Sequence, residues 1–192
     1  MKILYTGAIS QDTPQNQSIK SLGGFLSNSP IPNGEVGSLF SSVSGIIKPG
    51  FRSVRMIGIK NDELTQKTNL KIWATVSSPD LNITLAAMAP ALDTVCNKYF
   101  FEKIDNPHSL PLQATFNNYT ETDPISIASL DSQKFIGLWI KLEKSLTPIT
   151  TTTTQIIQPG YCSCQESEIQ LLRQRESNPI EHFNINISIS FD

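Results

Sequence analysis

Apolar and polar residues alternate along several separate segments of the chain. The clearest segments are 51–60, 70–76, 81–87 and 134–142, and each places an apolar side chain at every second position over most of its length. Side chains of a β-strand point alternately to the two faces of a sheet, so this period predicts strands. Shorter segments of the same character are 2–6, 112–116 and 125–130. Because turn residues separate the three segments between 51 and 87, we expect these three to form a β-meander.

Two predicted strands stand out by where their apolar residues lie. Segment 134–142 is apolar on both faces apart from its lysines, which is typical of a strand in the middle of a sheet or covered on both sides. The last strand has one purely apolar face, made of Phe183, Ile185, Ile187, Ile189 and Phe191, opposite a face of Asn and Ser. An uncharged edge strand left bare would aggregate. We therefore expect this strand to complete the main sheet or to extend the sheet of a neighbouring subunit.

The two ends of the chain differ from its middle. Residues 1–50 contain many Gly, Pro and Asn-Gly turn signals with single apolar residues between them, which predicts an extended, turn-rich segment. Five consecutive threonines at 150–154 mark a boundary. The chain is therefore divided into a main domain, 1–149, and a C-terminal extension, 150–192, in which 165–176 forms a short helix or a strand. The predicted fold is all-β, an antiparallel β-sandwich that includes the jelly-roll type, with at most one short helix.

Charge narrows the possible partners. Charged residues make up 17% of the chain, against about 25% in an ordinary soluble domain. The 15 Lys and Arg against 17 Asp and Glu give a net charge of −2, so we expect no direct nucleic-acid binding, which favours a basic face. Proteins near zero net charge tend to associate. No segment approaches the roughly 18 apolar residues of a membrane span, and residues 1–10 do not form a signal peptide, so we expect a cytoplasmic product without membrane contact.

Few residues offer chemistry. Cys162 and Cys164 lie two positions apart, and they form either part of a metal site with Cys96 or His182, or simple thiols. His108 lies in a loop flanked by proline, and the carboxylates are scattered along the chain. The sequence contains no nucleophile elbow, phosphate-binding loop or dinucleotide fingerprint. We therefore expect a protein that is not an enzyme and that needs no cofactor and no metal.

Two pairs of residues allow two interpretations each. Arg52 and Arg55 alternate with apolar residues in one predicted strand, where they either cover apolar surface with their long side chains or form charge pairs across a subunit interface. Trp73 and Trp139 lie on predicted strands, where they either pack in the core or form an exposed platform for a sugar.

Four groups of residues carry a resemblance to a known family. They are an LGGF motif at 22–25, an SLF motif at 38–40 followed by the strand RMIGIKN at 55–61, the predicted strands 70–76 and 81–87, and segment 125–130 followed by FIGLWIK at 135–141. Their order and spacing over residues 20–145 resemble small virion structural proteins of tailed double-stranded DNA bacteriophages. The chain departs from that family at Val54, where Tyr is common, and at Lys141, where Arg is common.

The resemblance implies a non-enzymatic building block of the virus particle. We expect a ring or collar protein of the tail or head-to-tail connector, made in the host cytoplasm and present in the virion as a symmetric homo-oligomer. Its partners would be copies of itself and other virion proteins of the portal, connector, tail or capsid. The expected subunit-interface residues are Leu22, Gly23, Gly24, Phe25, Leu39, Phe40, Arg52, Arg55, Phe183, Ile185, Ile187, Ile189 and Phe191.

Three alternatives remain open from the sequence. One is a capsid decoration protein of the same β-sandwich class. Another is a carbohydrate-binding adhesive module that would use Trp73, Trp139 and the pair Phe100-Phe101 as exposed aromatic surface. The third is a hydrolase on a jelly-roll scaffold, which would need His108 or His182 beside a cluster of carboxylates.

Overall fold

A computed structural model describes residues 1–7, 21–32, 36–40, 47, 50–95, 98–144 and 183–192. The predictions made for Cys96, Cys162, Cys164, His182, the threonines at 150–154 and segment 165–176 lie outside these residues. Within the described ranges, no helix is long and apolar enough to cross a membrane.

The fold is all-β, as the alternating pattern predicts. Among the residues that the structure describes, every strand pairing is antiparallel and the one helical element is a short 3-10 helix, Val36–Phe40. The strands are β1 (Lys2–Gly7), β2 (Gly24–Pro30), β3 (Arg52–Lys60), β4 (Lys67–Val76), β5 (Leu81–Met88), β6 (Ala91–Asp93), β7 (Lys98–Phe101), β8 (Ile125–Leu130), β9 (Phe135–Lys144) and β10 (Ile185–Ser190).

These strands form two sheets that pack face to face. The large sheet has seven strands in the order β5-β9-β3-β1-β2-β7-β6, and the small sheet has three strands in the order β10-β4-β8. β9 lies between β3 and β5, which confirms the prediction that the strand with two apolar faces occupies the middle of a sheet. β10 pairs with β4 of the same chain along its whole length, so its ladder on that side is satisfied within the chain.

The predicted β-meander of residues 51–87 is wrong. β3 and β5 both pair with β9, while β4 lies in the other sheet. The burial of the strands explains this arrangement. β3 is buried on both faces, as a central strand requires, whereas β4 buries Leu70, Ile72 and Ala74 and leaves Lys71 and Thr75 exposed. A strand with one polar face suits a sheet that has one face open to solvent.

Two apolar clusters lie on the two faces of the large sheet. The first lies between the sheets, where side chains such as Ile57 and Ile140 of the large sheet meet Leu70, Ile72 and Ile125 of the small sheet. The second lies on the other face of the large sheet and contains Val54, Met56, Ala86, Phe101, Ile104 and Trp139. The connection between β7 and β8, residues 102–124, covers part of this second face with Ile104, Ala114 and Phe116.

The large sheet curls strongly, and one glycine marks where it does so. A Cβ atom on Gly137 of β9 would overlap the ring of Phe101, which belongs to β7. Three strands separate β9 from β7 in the sheet order, so this contact forms only because the sheet bends back on itself. A glycine in a strand commonly marks such a close approach.

The N-terminal region is more regular than its composition predicts. β1 and β2 lie inside the large sheet, with β1 between β3 and β2. The chain enters β2 through Gly23 and Gly24, whose φ angles are +84° and +87°. A Cβ atom on Gly23 would also overlap the carbonyl oxygen of Glu102. The LGGF motif therefore has a backbone role, because only glycine adopts this conformation without strain.

The predicted strand at 112–116 is also wrong. The carboxylate of Glu102 accepts hydrogen bonds from the backbone N–H groups of Leu112 and Gln113, at 2.5 and 3.0 Å. These two donors are therefore used by a side chain instead of a strand ladder. Pairing with β5 is limited to a single bridge between Asn117 and Leu85.

Candidate interaction surfaces

The motif groups that carry the family resemblance contact one another in the structure. Arg55 of β3 lies opposite Ile140 of β9, and its Nε donates a hydrogen bond of 2.8 Å to the carbonyl oxygen of Leu39 in the 3-10 helix. The guanidinium carbon lies 5.8 Å from the ring centroid of Phe40. Arg55 therefore ties the SLF, RMIGIKN and FIGLWIK motifs together at one place in the fold.

Arg55 is a structural residue. Its side chain is 2% exposed, and burial lowers the pKa of its guanidinium below the usual value. A second hydrogen bond, 3.0 Å long, joins its Nη1 to the carbonyl oxygen of Val54. These two acceptors are backbone carbonyls, one near the end of the 3-10 helix and one near the start of β3, so the arginine holds these two segments together.

The interface predictions need a correction for the buried residues. Leu39, Phe40 and Ile185 are at most 2% exposed and belong to the cluster between the sheets. Arg55 is buried beside them, and Gly23 is buried at the entry to β2. The chain's own packing covers these five residues, so their side chains are not available to a neighbouring subunit. Leu22, Gly24, Phe25, Arg52, Phe183, Ile187, Ile189 and Phe191 each keep part of their surface exposed, and for them the interface role stays a prediction.

Asn61 ends the RMIGIKN motif and joins two turns. Its side-chain amide donates to the carbonyl oxygens of Thr65, at 2.8 Å, and Leu130, at 3.0 Å. Its backbone N–H donates to the carbonyl oxygen of Lys134 at 2.9 Å. The turn that leads from the large sheet to the small sheet is therefore fixed to the turn between β8 and β9.

The outer face of the small sheet carries almost no charge. We call it the neutral face; its outward positions on the three strands are Lys71, Trp73, Thr75, Ser126, Ala128, Asn186, Ser188 and Ser190. Lys71 is the one charged residue among these eight. Polar groups without charge cost less to remove from water than Lys and Glu do. This face is therefore suited to being covered by another molecule.

β10 forms one edge of the small sheet. Its pairing partner in the described part of the chain is β4. Along its inward face, exposure increases from Ile185, which is buried, through the half-buried Ile187 and Ile189 to Phe191, which is 38% exposed. The Nζ of Lys67 lies 4.5 Å from the ring centroid of Phe191. The end of the strand therefore remains accessible beside the neutral face.

A groove opens at one end of the curled large sheet, where β1, β2 and β7 meet the start of β9. Its volume is about 410 Å³, within the range of ~300–1,000 Å³ that is common for ligand pockets. Phe25, Tyr99 and Phe135 supply aromatic surface, and Lys2, Lys60 and Lys98 supply positive charge. The rings of Tyr99 and Phe135 meet edge to face with centroids 5.2 Å apart. We call this feature the aromatic groove.

Asp62 is the carboxylate that lines the aromatic groove. It forms ion pairs with the amino group of Met1, at 2.8 Å, and with the Nζ of Lys2, at 3.3 Å. The hydrogen bond from the amino group, together with the bond from Lys2, lowers the pKa of Asp62 to about 2. Asp62 is therefore ionised at neutral pH but neutralised by its partners, and Lys60 and Lys98 leave the groove positively charged.

A short loop at the opposite end of β3 exposes two leucines. This leucine loop, residues 106–113, presents Leu110 at 44% and Leu112 at 96% exposure on either side of the buried Pro111. The side chain of Asn106 accepts hydrogen bonds from the backbone of His108 and Ser109, and the Pro107 carbonyl accepts one from Val54 of β3. With the Glu102 carboxylate at its other end, the loop is held in place on both sides.

The residues singled out for chemistry lie at separate places in the fold. The Nδ1 of His108 lies 2.6 Å from the carbonyl oxygen of Arg52. Because a carbonyl only accepts, this nitrogen carries a proton, and the contact fixes the leucine loop to β3. In the described ranges no three His, Cys, Asp or Glu side chains come together in a way that could hold a metal ion. Trp139 is fully buried in the second apolar cluster, whereas Trp73 is half-buried on the neutral face.

Comparison of the chain with protein-family models, curated proteins and solved structures returns no match. Its function is therefore inferred from its own residues.

Sequence reasoning anticipated the neutral face better than the other two surfaces. The alternation of Ile with Asn and Ser in β10 gave a direct signal for an uncharged polar face. The aromatic groove draws its residues from β1, β2, β3, β7 and β9, and no local pattern reveals such a set. The leucine loop had one usable signal, the Leu110-Pro111-Leu112 run, although Leu112 was assigned to the predicted strand 112–116.

Proposed function

We propose that the chain is a structural subunit of a tailed bacteriophage particle. We propose specifically a ring or collar protein of the tail or head-to-tail connector. In this role it is not an enzyme, and it acts by contact with copies of itself and with other virion proteins. The observation that carries the proposal is the neutral face, because a polar surface with one charge in eight positions is inexpensive to desolvate.

The placement of the motif groups supports the family part of the proposal. The SLF, RMIGIKN and FIGLWIK groups meet at Arg55, and the LGGF group forms the entry to β2, where both glycines have positive φ angles. The resembling residues are therefore those that determine this β-sandwich, as expected if the resemblance reflects a shared fold. Five of the eight neutral-face positions also lie in the motif groups, Lys71, Trp73 and Thr75 in segment 70–76 and Ser126 and Ala128 in segment 125–130, so the resemblance extends to this surface.

The test is the protein composition of bacteriophage particles released from the bacterium that carries this gene. Quantitative mass spectrometry should find the 21.2 kDa chain at a fixed ratio to the major capsid protein. Immunogold labelling should place it at the tail or at the junction of head and tail. Labelling spread over the head would favour a capsid decoration protein instead, and absence of the chain from purified particles would contradict the proposal.

Trp73 favours one second candidate, a carbohydrate-binding adhesive module. It is half-exposed among Lys71, Thr75 and Ser188, and an aromatic ring beside polar side chains is suited to stacking on a sugar. Trp139 is buried and cannot contribute. Titration with host surface glycans, monitored by tryptophan fluorescence, should give a saturable change that is lost in Trp73→Phe if this candidate is correct.

A further inference from the structure

The leucine loop and the aromatic groove lie at opposite ends of β3. Arg52, the first residue of β3, contacts His108 of the loop through its carbonyl oxygen, while Lys60, the last residue, lines the groove. Eight steps along a strand span roughly 26 Å. Within one molecule, the loop and the groove are therefore too far apart for the loop to enter the groove.

Each of the two features offers apolar surface to a partner. The loop projects Leu112, which is almost fully exposed, and the rings of Phe25, Tyr99 and Phe135 line the groove. Burial of a leucine side chain against such rings is favourable because apolar surface leaves water. An exposed leucine held in a fixed loop loses little conformational freedom when it binds.

Their charges are complementary as well. The loop itself, residues 106–113, contains no carboxylate and no lysine, but the Glu102 carboxylate accepts hydrogen bonds from the backbone N–H groups of Leu112 and Gln113 and so places a negative charge beside the loop tip. In the groove, the Met1 amino group and Lys2 neutralise Asp62, and Lys60 and Lys98 remain as positive charges. The Nζ of Lys134 also lies 5.9 Å from the centroid of the Tyr99 ring at the groove. Opposite charges on the two surfaces steer and orient an encounter between them.

We propose that the leucine loop of one copy of this chain docks into the aromatic groove of the next copy. This contact is heterologous, since each copy uses two different surfaces, and such contacts produce closed rings when the rotation between copies closes. The inference rests on the proposed function in one respect, that the chain assembles with itself. It goes further by naming the two surfaces that meet.

The test uses two variants of the full chain, one altered on each surface. Leu112→Asp replaces the apolar side chain at the tip of the loop with a carboxylate that would have to leave water against the aromatic rings of the groove, and Lys98→Glu reverses a charge at the groove. Both residues are exposed, so neither change removes core packing. Sedimentation velocity should show association weakened about tenfold or more in each variant, as expected for a central contact. Leu64→Asp is the matched control, because Leu64 is 90% exposed and does not line the groove.

Mixing the two variants gives the sharpest result. The groove of Leu112→Asp and the loop of Lys98→Glu are both intact, so an equimolar mixture should form one-to-one dimers joined by a single intact contact. The remaining pair of surfaces would set Asp against Glu and could not close a ring. Raising the salt concentration should weaken this dimer, since screening reduces the attraction between the loop and the groove.

Any one of three results would overturn the proposed docking contact. The wild-type chain could stay monomeric at its highest soluble concentration, or the two variants could form assemblies of the same mass as the wild type. The third such result is a mixture of the variants that forms no one-to-one dimer. The proposed function is tested separately by the composition of purified particles. A chain that is present in particles but fails the mixing experiment would be a structural subunit that assembles through other surfaces.

Discussion

The large and small sheets differ in what their side chains do. β3 and β9 of the large sheet are buried on both faces and contain the RMIGIK and FIGLWIK segments. Arg55, Gly23 and Asn61 each have a structural role that the contacts explain. The small sheet buries one face. Its other face, the neutral face, stays partly or fully exposed and is not needed for packing the fold. The comparison separates residues that specify the fold from residues that remain for a partner.

Replacing each of the two tryptophans by alanine tests this difference between the sheets, and it should give the largest change in the free energy of unfolding. Trp139→Ala in the large sheet should lower the free energy of unfolding by about 3–5 kcal/mol, because it leaves a large cavity in the second apolar cluster. Trp73→Ala on the neutral face should cost about 1 kcal/mol or less, since partly exposed positions rarely cost more. Urea unfolding of both variants measures the difference. Equal losses would show that the two sheets do not differ in the way described.

A second comparison lies within the large sheet, between two glycines. Gly23→Ala should destabilise the chain by about 1–3 kcal/mol for a non-glycine residue at positive φ, with a further cost from the overlap with Glu102. Gly7→Ala is the matched control, because nothing lies within 4 Å of a Cβ at that position. Thermal unfolding of both variants would check this. A stable Gly23→Ala protein would mean that the LGGF motif is not required for the backbone geometry.

Many strands of both sheets could be predicted because their signal is local. Alternation identified β3, β4, β5, β8 and β9, and the two apolar faces of β9 identified a central strand. The pairing could not be predicted, since β9 selects β3 and β5 across long stretches of chain that no periodicity describes. β2 was missed because its sequence, GFLSNSP, has few strand-favouring residues. Its neighbours β1 and β7 hold it in the sheet instead.

Asp62 allows the connection between the two sheets to be tested by pH. Its pKa is lowered to about 2 in the folded protein from an ordinary value of 3.8. The folded state therefore binds this proton less readily than the unfolded state, so the carboxylate stabilises the fold above pH 3.8 and the contribution is lost as the pH falls toward 2. Asp62→Asn should be less stable than wild type at neutral pH.

The gap between Asp62→Asn and wild type should close in acid. Lys67 also lowers the pKa of the neighbouring Glu63, so wild type alone would not isolate Asp62, whereas the difference between the two proteins does. Unfolding followed across this pH range provides the measurement. A gap that stays constant from neutral pH to pH 2 would show that the ion pairs of Asp62 do not contribute to stability.

A substitution on the neutral face should have the smallest effect on stability. Asn186→Lys adds a charge to an exposed position of β10 and should change the free energy of unfolding by less than about 0.5 kcal/mol. It should nevertheless reduce incorporation of the chain into particles, because the new charge must be desolvated when the face is covered. Asn82→Lys, on the exposed side of β5, is the matched control and should be incorporated normally. Equal incorporation of both variants would remove the argument from the neutral face.

The central claim is that the chain works as an assembling subunit, and the mass of the full chain in solution tests it most directly. Native mass spectrometry of the wild type should give a discrete species whose mass is a whole multiple of 21.2 kDa. A single species of 21.2 kDa at every concentration, under conditions that preserve the fold, would contradict the claim.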